Sequence, residues 1–393
     1  MDAKRSRLGA ALLALGVVFL PAAPGAAASA TPAQGALACH GASPLGPVAN
    51  EQAVLARYRR IMVQALVRYR ADIARVWPKS LVSSPTRWVE YSSDWQVRRV
   101  VDFRAKAIRI SLRFQAGENL RPRFLAQLTH LLSEPLAAAY ARDPVLAALA
   151  RRLGGSTRPG EGERLMLGAL FDTADPTQAR IRAKAGQLLD AARIDDRGSG
   201  EVRTATLSVA LPEDWALRAA RRYRKPVNRY AAKSGLAPAV IDALIDTESA
   251  FNPMAIAARP AFGLMQIGPA VRCERASRVG GGTAHTLTPS TAFDPGDNIR
   301  IGAAYLHRLY YGTFSAVGDA RSRLYCALAA YAAGPGGVAR AFNTQGDMQA
   351  AIRGINASTP PAVYSRLRGH LPRARARRTL TYVTARLAVY RQR

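Results

Sequence analysis

The stretch Ala239-Val240-Ile241-Asp242-Ala243-Leu244-Ile245-Asp246-Thr247-Glu248-Ser249-Ala250-Phe251-Asn252-Pro253 decides how the second half of this chain is read. Ile241, Leu244, Ile245 and Glu248 recur at i, i+3, i+4 and i+7, the spacing of one apolar face of an α-helix, whereas Asp242 and Asp246 project the other way. Pro253 disfavours helical geometry at Asn252 and has no backbone N–H, so the helix is expected to stop here with Glu248 in its last turn. A carboxyl group on an apolar stripe loses hydration, holds its proton more tightly, and becomes suited to donating it near neutral pH. The same periodicity also admits a glutamate that merely edges into solvent at a helix end.

Three blocks follow downstream. Phe262-Gly263-Leu264-Met265-Gln266-Ile267 offers a glycine that permits close backbone approach and a glutamine that can both donate and accept. Asp294-Pro295-Gly296-Asp297-Asn298-Ile299 opens a further helix that carries Gly302, Tyr305 and Leu306. Ala330-Tyr331-Ala332-Ala333-Gly334-Pro335 closes another, and its Tyr331 is equally readable as a core aromatic.

Glu248-Ser249, the Gly-Leu-Met-Gln block, the Asp-Pro-x-x-Asn-Ile block and the Ala-Tyr-x-x-Gly block, in this order and spacing, resemble the soluble-lytic-transglycosylase family of lysozyme-like domains. Upstream, the strands between Trp88 and Phe114, and downstream the stretch from Thr359-Pro360 to Val363-Tyr364, are similar to the membrane-bound lytic murein transglycosylases of the C type. The resemblance implies a peptidoglycan substrate and a lytic reaction. Glu248 would protonate the oxygen between N-acetylmuramic acid and N-acetylglucosamine, then act as base on the muramyl 6-hydroxyl to close a 1,6-anhydro ring. It also implies that Ser249, Met265, Gln266 and Tyr331 lie along the sugar, with a tyrosine of the last helix close to the carboxyl. Tyr382 fits that place, although a gapless comparison would put Thr379 there, one turn earlier on the same face.

Glycosidases ordinarily use two carboxyl groups. Only one acid is well placed here, and an intramolecular hydroxyl nucleophile removes the need for a second. Asp242 or Asp246 as partner would instead make a muramidase-type hydrolase. Two positions depart from the family pattern, Ala257 where a serine is usual and Ala332 where an asparagine is usual, and a catalytically weakened peptidoglycan-binding protein is the alternative they motivate.

The region before the catalytic helix has a different period. Glu51 to Trp77 spaces its apolar residues as a helix, then Arg87 to Tyr91, Val97 to Phe103, Ala107 to Phe114 and Val202 to Leu211 alternate as half-buried antiparallel strands. Arg121 to Leu153 reads as one helical stretch that ends at Gly154-Gly155. From Glu213 onward the strand signal disappears. The expected fold class is an α+β N-terminal domain (51–212) followed by an all-α lysozyme-like catalytic domain (213–393).

Lys4, Arg5 and Arg7 precede the apolar run Leu8 to Leu20 and the small residues Ala22 to Ala30, the order of a secretory signal peptide (1–30), leaving a flexible mature start over 31–50. Export to the periplasm follows. There are 56 Lys plus Arg against 27 Asp plus Glu, a net charge of +29 that favours a polyanionic partner. An exported chain meets the carboxylate-rich wall and not nucleic acid. Cys39 loosely resembles a lipoprotein cleavage site that would tie the protein to the outer membrane, but it lies far beyond the apolar run. With three cysteines, a Cys273–Cys326 disulfide with Cys39 left over is the simplest arithmetic. No His/Cys cluster has metal-ligand spacing, and neither metal nor cofactor is expected.

Overall fold

The computed structural model describes residues 38–40, 48–153, 165–197, 202–269, 272–274, 289–372 and 374–391. The signal-peptide reading over 1–30 lies outside the described residues. Among the described residues no helix is long and apolar enough to cross a membrane.

In chain order the elements begin with β1 (Ala38–His40), α1 (Val48–Ala74), β2 (Arg87–Tyr91), β3 (Val97–Asp102), β4 (Ala107–Gln115), α2 (Leu120–Leu132), α3 (Leu136–Arg142) and α4 (Pro144–Leu153). They continue with α5 (Gln178–Asp190), β5 (Arg193–Arg197), β6 (Val202–Ala210), α6 (Trp215–Arg222), α7 (Arg224–Lys233) and α8 (Pro238–Ser249). After these come β7 (Arg272–Glu274), α9 (Pro289–Phe293), α10 (Pro295–His307), α11 (Ala320–Ala333), α12 (Pro335–Phe342), α13 (Met348–Asn356), α14 (Pro360–His370) and α15 (Ala374–Arg391).

The α+β region is built on an antiparallel sheet of order β2-β3-β4-β6-β5. Alternation sets its register: Trp88 faces Val101, and Ile110 pairs with Leu207, each with its side chain in the core. Ser111, buried in the central strand, meets the Thr206 hydroxyl at 2.9 Å, so this polar pair inside the sheet satisfies itself. β5 is a strand beyond the four that alternation marks. It is an edge strand whose Arg193, Asp195 and Asp196 carry no apolar alternation to betray it. The single helical stretch expected over Arg121 to Leu153 is three helices, because Pro135 and Pro144 each restart the chain and the residue before a proline avoids helical geometry.

From Trp215 the described residues are mainly helical, and the short strand β7 among them pairs with β1. Their register sets Cys39 opposite Cys273. The expected Cys273–Cys326 disulfide is not formed: Cys326 is a free thiol, fully buried on α11, and burial pushes its pKa up to about 12. Native protein is therefore expected to leave Cys326 unalkylated by iodoacetamide at pH 8, whereas unfolded protein reacts fully, as read by peptide mass. Labelling of the native chain would reveal local opening of α11.

Candidate active site

α8 starts on Pro238, whose fixed φ suits the first helical position. It is not half-exposed as its pattern suggests. Asp242 and Asp246 are buried along with the apolar residues, because α15 packs along its length and the α+β region covers its end. Asp246 is satisfied there by Arg386 at 3.0 Å and by the Tyr390 hydroxyl at 3.0 Å. The helix ends at Ser249, followed by Ala250 and Phe251 with φ of 53° and 61°. Two successive left-handed non-glycine residues cost roughly 1–2 kcal/mol each. Pro253 alone would not force them. The neighbours hold them: Ala250 N–H bonds to the Asp246 carbonyl, Phe251 is buried against Tyr223 and Tyr390, and Asn252 donates to the carbonyls of Pro85 (3.1 Å) and Ser84 (3.4 Å). From the β3–β4 turn, Arg104 donates at 2.8 Å to the carbonyls of both Asp246 and Thr247. The sheet thus caps the exposed carbonyl end of the helix that carries Glu248.

Glu248 is 6% exposed, as the apolar stripe predicts, but it is not in an apolar pocket. Arg375 of α15 donates to its Oε2 from Nη2 (2.5 Å) and Nε (3.2 Å), and the Thr379 hydroxyl donates to Oε1 at 2.8 Å. Of the two registers weighed for the last helix, the one with Thr379 reaches the carboxylate. Tyr382 lies one turn further on, 47% exposed. Arg375 had no distinguishing signal, since it sits in the run Pro372-Arg373-Ala374-Arg375-Ala376-Arg377-Arg378, which reads as a solvated basic face.

The other expected site residues form the frame. Ser249, fully buried, turns its hydroxyl back to the Ile245 carbonyl at 3.0 Å. Gln266, at φ 50°, donates to the carbonyls of Ala255 (3.2 Å) and Gly263 (3.0 Å), and its Oε1 is buried with no hydrogen-bond partner among the described residues. Met265 is fully buried against Gly302, where an added Cβ would stand 2.4 Å from the Met265 sulfur. Asn298 is the hub. Its amide donates to the carbonyls of Phe262 (2.9 Å) and Ala292 (2.7 Å), and its Oδ1 accepts from Met265 N–H at 2.7 Å. Tyr331 donates to the Met265 carbonyl at 2.8 Å and packs on Tyr305. Burial raises its hydroxyl pKa well above the ordinary value and the Glu248 charge adds to this, so Tyr331 stays a donor beside the acid. Of the two departures, Ala257 uses its N–H on the Ala261 carbonyl, and Ala332 is partly buried on α11.

Among the described residues, Glu90, His130 and Glu134 bring a ligand atom each within 4.8 Å of one another, a grouping their sequence spacing did not reveal. Arg99 and Arg142 already occupy these oxygens, at 2.8 Å and 3.0 Å from Glu90 and 2.5 Å from Glu134. Burial works to raise the Glu90 pKa, but the His130 hydrogen bond and the two guanidinium charges outweigh it and hold the group below its ordinary value. The cluster is an ion-pair network, and a cation would have to displace two guanidiniums.

Residues 225–353 match the family model for the transglycosylase SLT domain. The chain is similar to the membrane-bound lytic murein transglycosylase C of Pectobacterium atrosepticum, 27% identical over 326 residues, covering 82% of this chain and 87% of the relative. The protein of the same name from Yersinia pestis is 27% identical over 339 residues with the same coverage. Among solved structures, an inactive mutant of the lytic transglycosylase Slt from Pseudomonas aeruginosa matches at 22% identity and a TM-score of 0.30, over 46% of this chain and 28% of that one. Glu248 thus stands buried at the end of α8 inside the segment that matches the transglycosylase SLT domain, and over most of its length the chain is a homologue of the lytic murein transglycosylases.

Proposed function

We propose that the protein is an exported lytic transglycosylase that cleaves the β-1,4 bond between N-acetylmuramic acid and N-acetylglucosamine in peptidoglycan, leaving a 1,6-anhydro end. The observation that carries this reading is the hydrogen-bonded state of Glu248: a buried carboxyl in the last turn of α8 held by Arg375 and Thr379, while Asp246 of the same helix is committed to Arg386 and Tyr390 and Asp242 lies buried more than a turn earlier. An inverting or retaining hydrolase needs a second carboxyl group, free to activate water or attack carbon. Asp246 has no such freedom. Glu248 would give its proton to the glycosidic oxygen as the bond breaks, and its carboxylate would then take the proton of the muramyl 6-hydroxyl as that oxygen closes on C1. Arg375 and Thr379 serve the carboxylate that exists between these two transfers. The relatives' names and the Lys4 to Ala30 pattern support export to the wall. In the same reading, 51–212 is an accessory α+β domain and 213–393 the catalytic one.

Digestion of purified sacculi tests the reaction. Mass spectrometry is expected to find 1,6-anhydromuramyl ends; reducing ends in their place would mean a hydrolase, and binding without release would mean the weakened wall-binding protein that Ala257 and Ala332 motivate. The Thr379→Val variant removes one hydrogen bond to a charged group, worth about 1.5–3 kcal/mol. Turnover is expected to fall roughly tenfold or more with little change in sacculus binding. Unchanged turnover would show that the hydroxyl does not serve Glu248.

A further inference from the structure

The β2–β3 hairpin is anchored to α8 at one end through Ser84, Pro85 and Arg104. Its other end, roughly 16 Å away along a five-residue strand, carries Trp95. Trp95 differs from its neighbours Trp77 and Trp88, which are core residues. It is partly exposed and sits at φ 60°, a left-handed conformation that a large L side chain adopts only where its surroundings impose it. Ser92 and Asp94 hold the turn, and the Trp95 carbonyl accepts from Trp77 Nε1 at 2.8 Å. The indole meets Tyr69 of α1 at 6.0 Å and Tyr91 of β2 at 5.6 Å between ring centroids, and Tyr69 and Tyr91 are 6.1 Å apart.

Two hollows meet at this aromatic group. One, of about 520 Å³, runs between α1 and α4; the other, of about 510 Å³, runs toward Glu90 and His130; Tyr69, Trp95 and Pro144 line both. Each has the size of a small-ligand site. The first hollow is basic. Arg68 and Arg151 are exposed on it with no carboxylate partner among the described residues, while Asp72 is bridged to Arg75 and Arg152 donates to Gln64. In the second hollow the charges of Arg99 and Arg142 are already met by Glu90 and Glu134, and the exposed Ser93 offers a hydroxyl. Aromatic rings between a cationic groove and a neutral polar one suit a chain whose flat apolar faces alternate with hydroxyls and whose side groups end in carboxylates.

We infer that this double hollow is a second binding subsite, remote from Glu248, for an unreacting stretch of carboxylate-bearing glycan strand. Sugar faces stack on Tyr69 and Trp95, and a stem carboxylate pairs with Arg68 and Arg151. The inference rests on peptidoglycan being the substrate. Occupying two sites on one strand multiplies affinity through effective concentration, so the subsite shows itself in the length dependence of binding.

The experiment measures affinity of the full chain carrying Glu248→Gln for soluble uncrosslinked strands of two lengths, a tetrasaccharide and one of many disaccharides, by calorimetry. Long strands are expected to bind at least roughly tenfold tighter than short ones. In Trp95→Ala, and in the surface double variant Arg68→Glu/Arg151→Glu, which leaves the fold intact, that ratio is expected to drop to near one, whereas Trp95→Phe keeps most of it. A long chitin oligomer, lacking carboxylates, is expected to gain less from length than the wall strand. A ratio that survives in the charge-reversed and Trp95→Ala variants overturns the subsite alone. If isolated stem peptide, and not glycan, abolishes the length effect, the occupant is a peptide and the inference is wrong. Absence of binding to strands of either length overturns the peptidoglycan reading itself.

Discussion

Replacing Glu248 with glutamine is expected to lower turnover on sacculi by about 1000-fold or more while leaving sacculus binding within a few-fold of the parent. Proton transfer by a placed side chain contributes some 10²–10⁴ to rate. In the proposed reaction one group serves both steps, so its loss would remove the donor and the base together. The substitution fits the site. A glutamine carbonyl can accept from Arg375 as Oε2 does, and its amide can donate to the Thr379 hydroxyl, which turns to accept. The variant therefore tests chemistry and not packing. An equal thermal midpoint with residual turnover within tenfold of the parent would mean that another group transfers the proton.

The largest structural effect is expected at Gly263. The Gly263→Ala variant should lose about 3–5 kcal/mol and melt roughly 10 °C lower. The residue has φ 69°, where an L side chain costs roughly 1–2 kcal/mol. An added Cβ would also stand 2.4 Å from Asn298 Nδ2 and 2.5 Å from the Ala292 carbonyl. Asn298 would have to move, and its three hydrogen bonds to the turn are fully buried, each broken group costing about 1–3 kcal/mol. Because Met265 and Tyr331 hang from the same hub, turnover should fall with stability. A melting curve unchanged from the parent would show that the turn adapts at little cost.

The sheet was legible because its strands bury one face, and alternation such as that of Ala107 to Phe114 has no other reading. β5 was not, since an exposed edge strand needs no apolar pattern. Glu248 was legible through its helical phase. The burial of Asp242 and Asp246 was not, because a period reports which face is apolar and is silent about a distant helix that packs on the polar face and brings Arg386 and Tyr390 to Asp246. The motif blocks proved easy to find and hard to interpret. Asn298, Ser249 and Gln266 belong to the blocks that carry the resemblance, and their hydrogen bonds in this structure go to the backbone of the site's own frame. Arg375 was illegible for the reason that makes it effective: among many arginines on exposed helices, only the fold brings one to a buried carboxylate.

Arg104 and Asn252 tie the α+β layer to the end of the helix that carries Glu248, although neither partner of the Glu248 carboxylate comes from that layer. The helix bearing Glu248 ends in a strained corner, and part of what braces that corner comes from residues more than a hundred positions earlier. A change in the hairpin, whether from mutation or from cargo drawn along its aromatic tip, would be felt at Glu248 as a change of aim. The two regions then behave less like a tool and a handle than like the two jaws of a vice, neither of which grips alone.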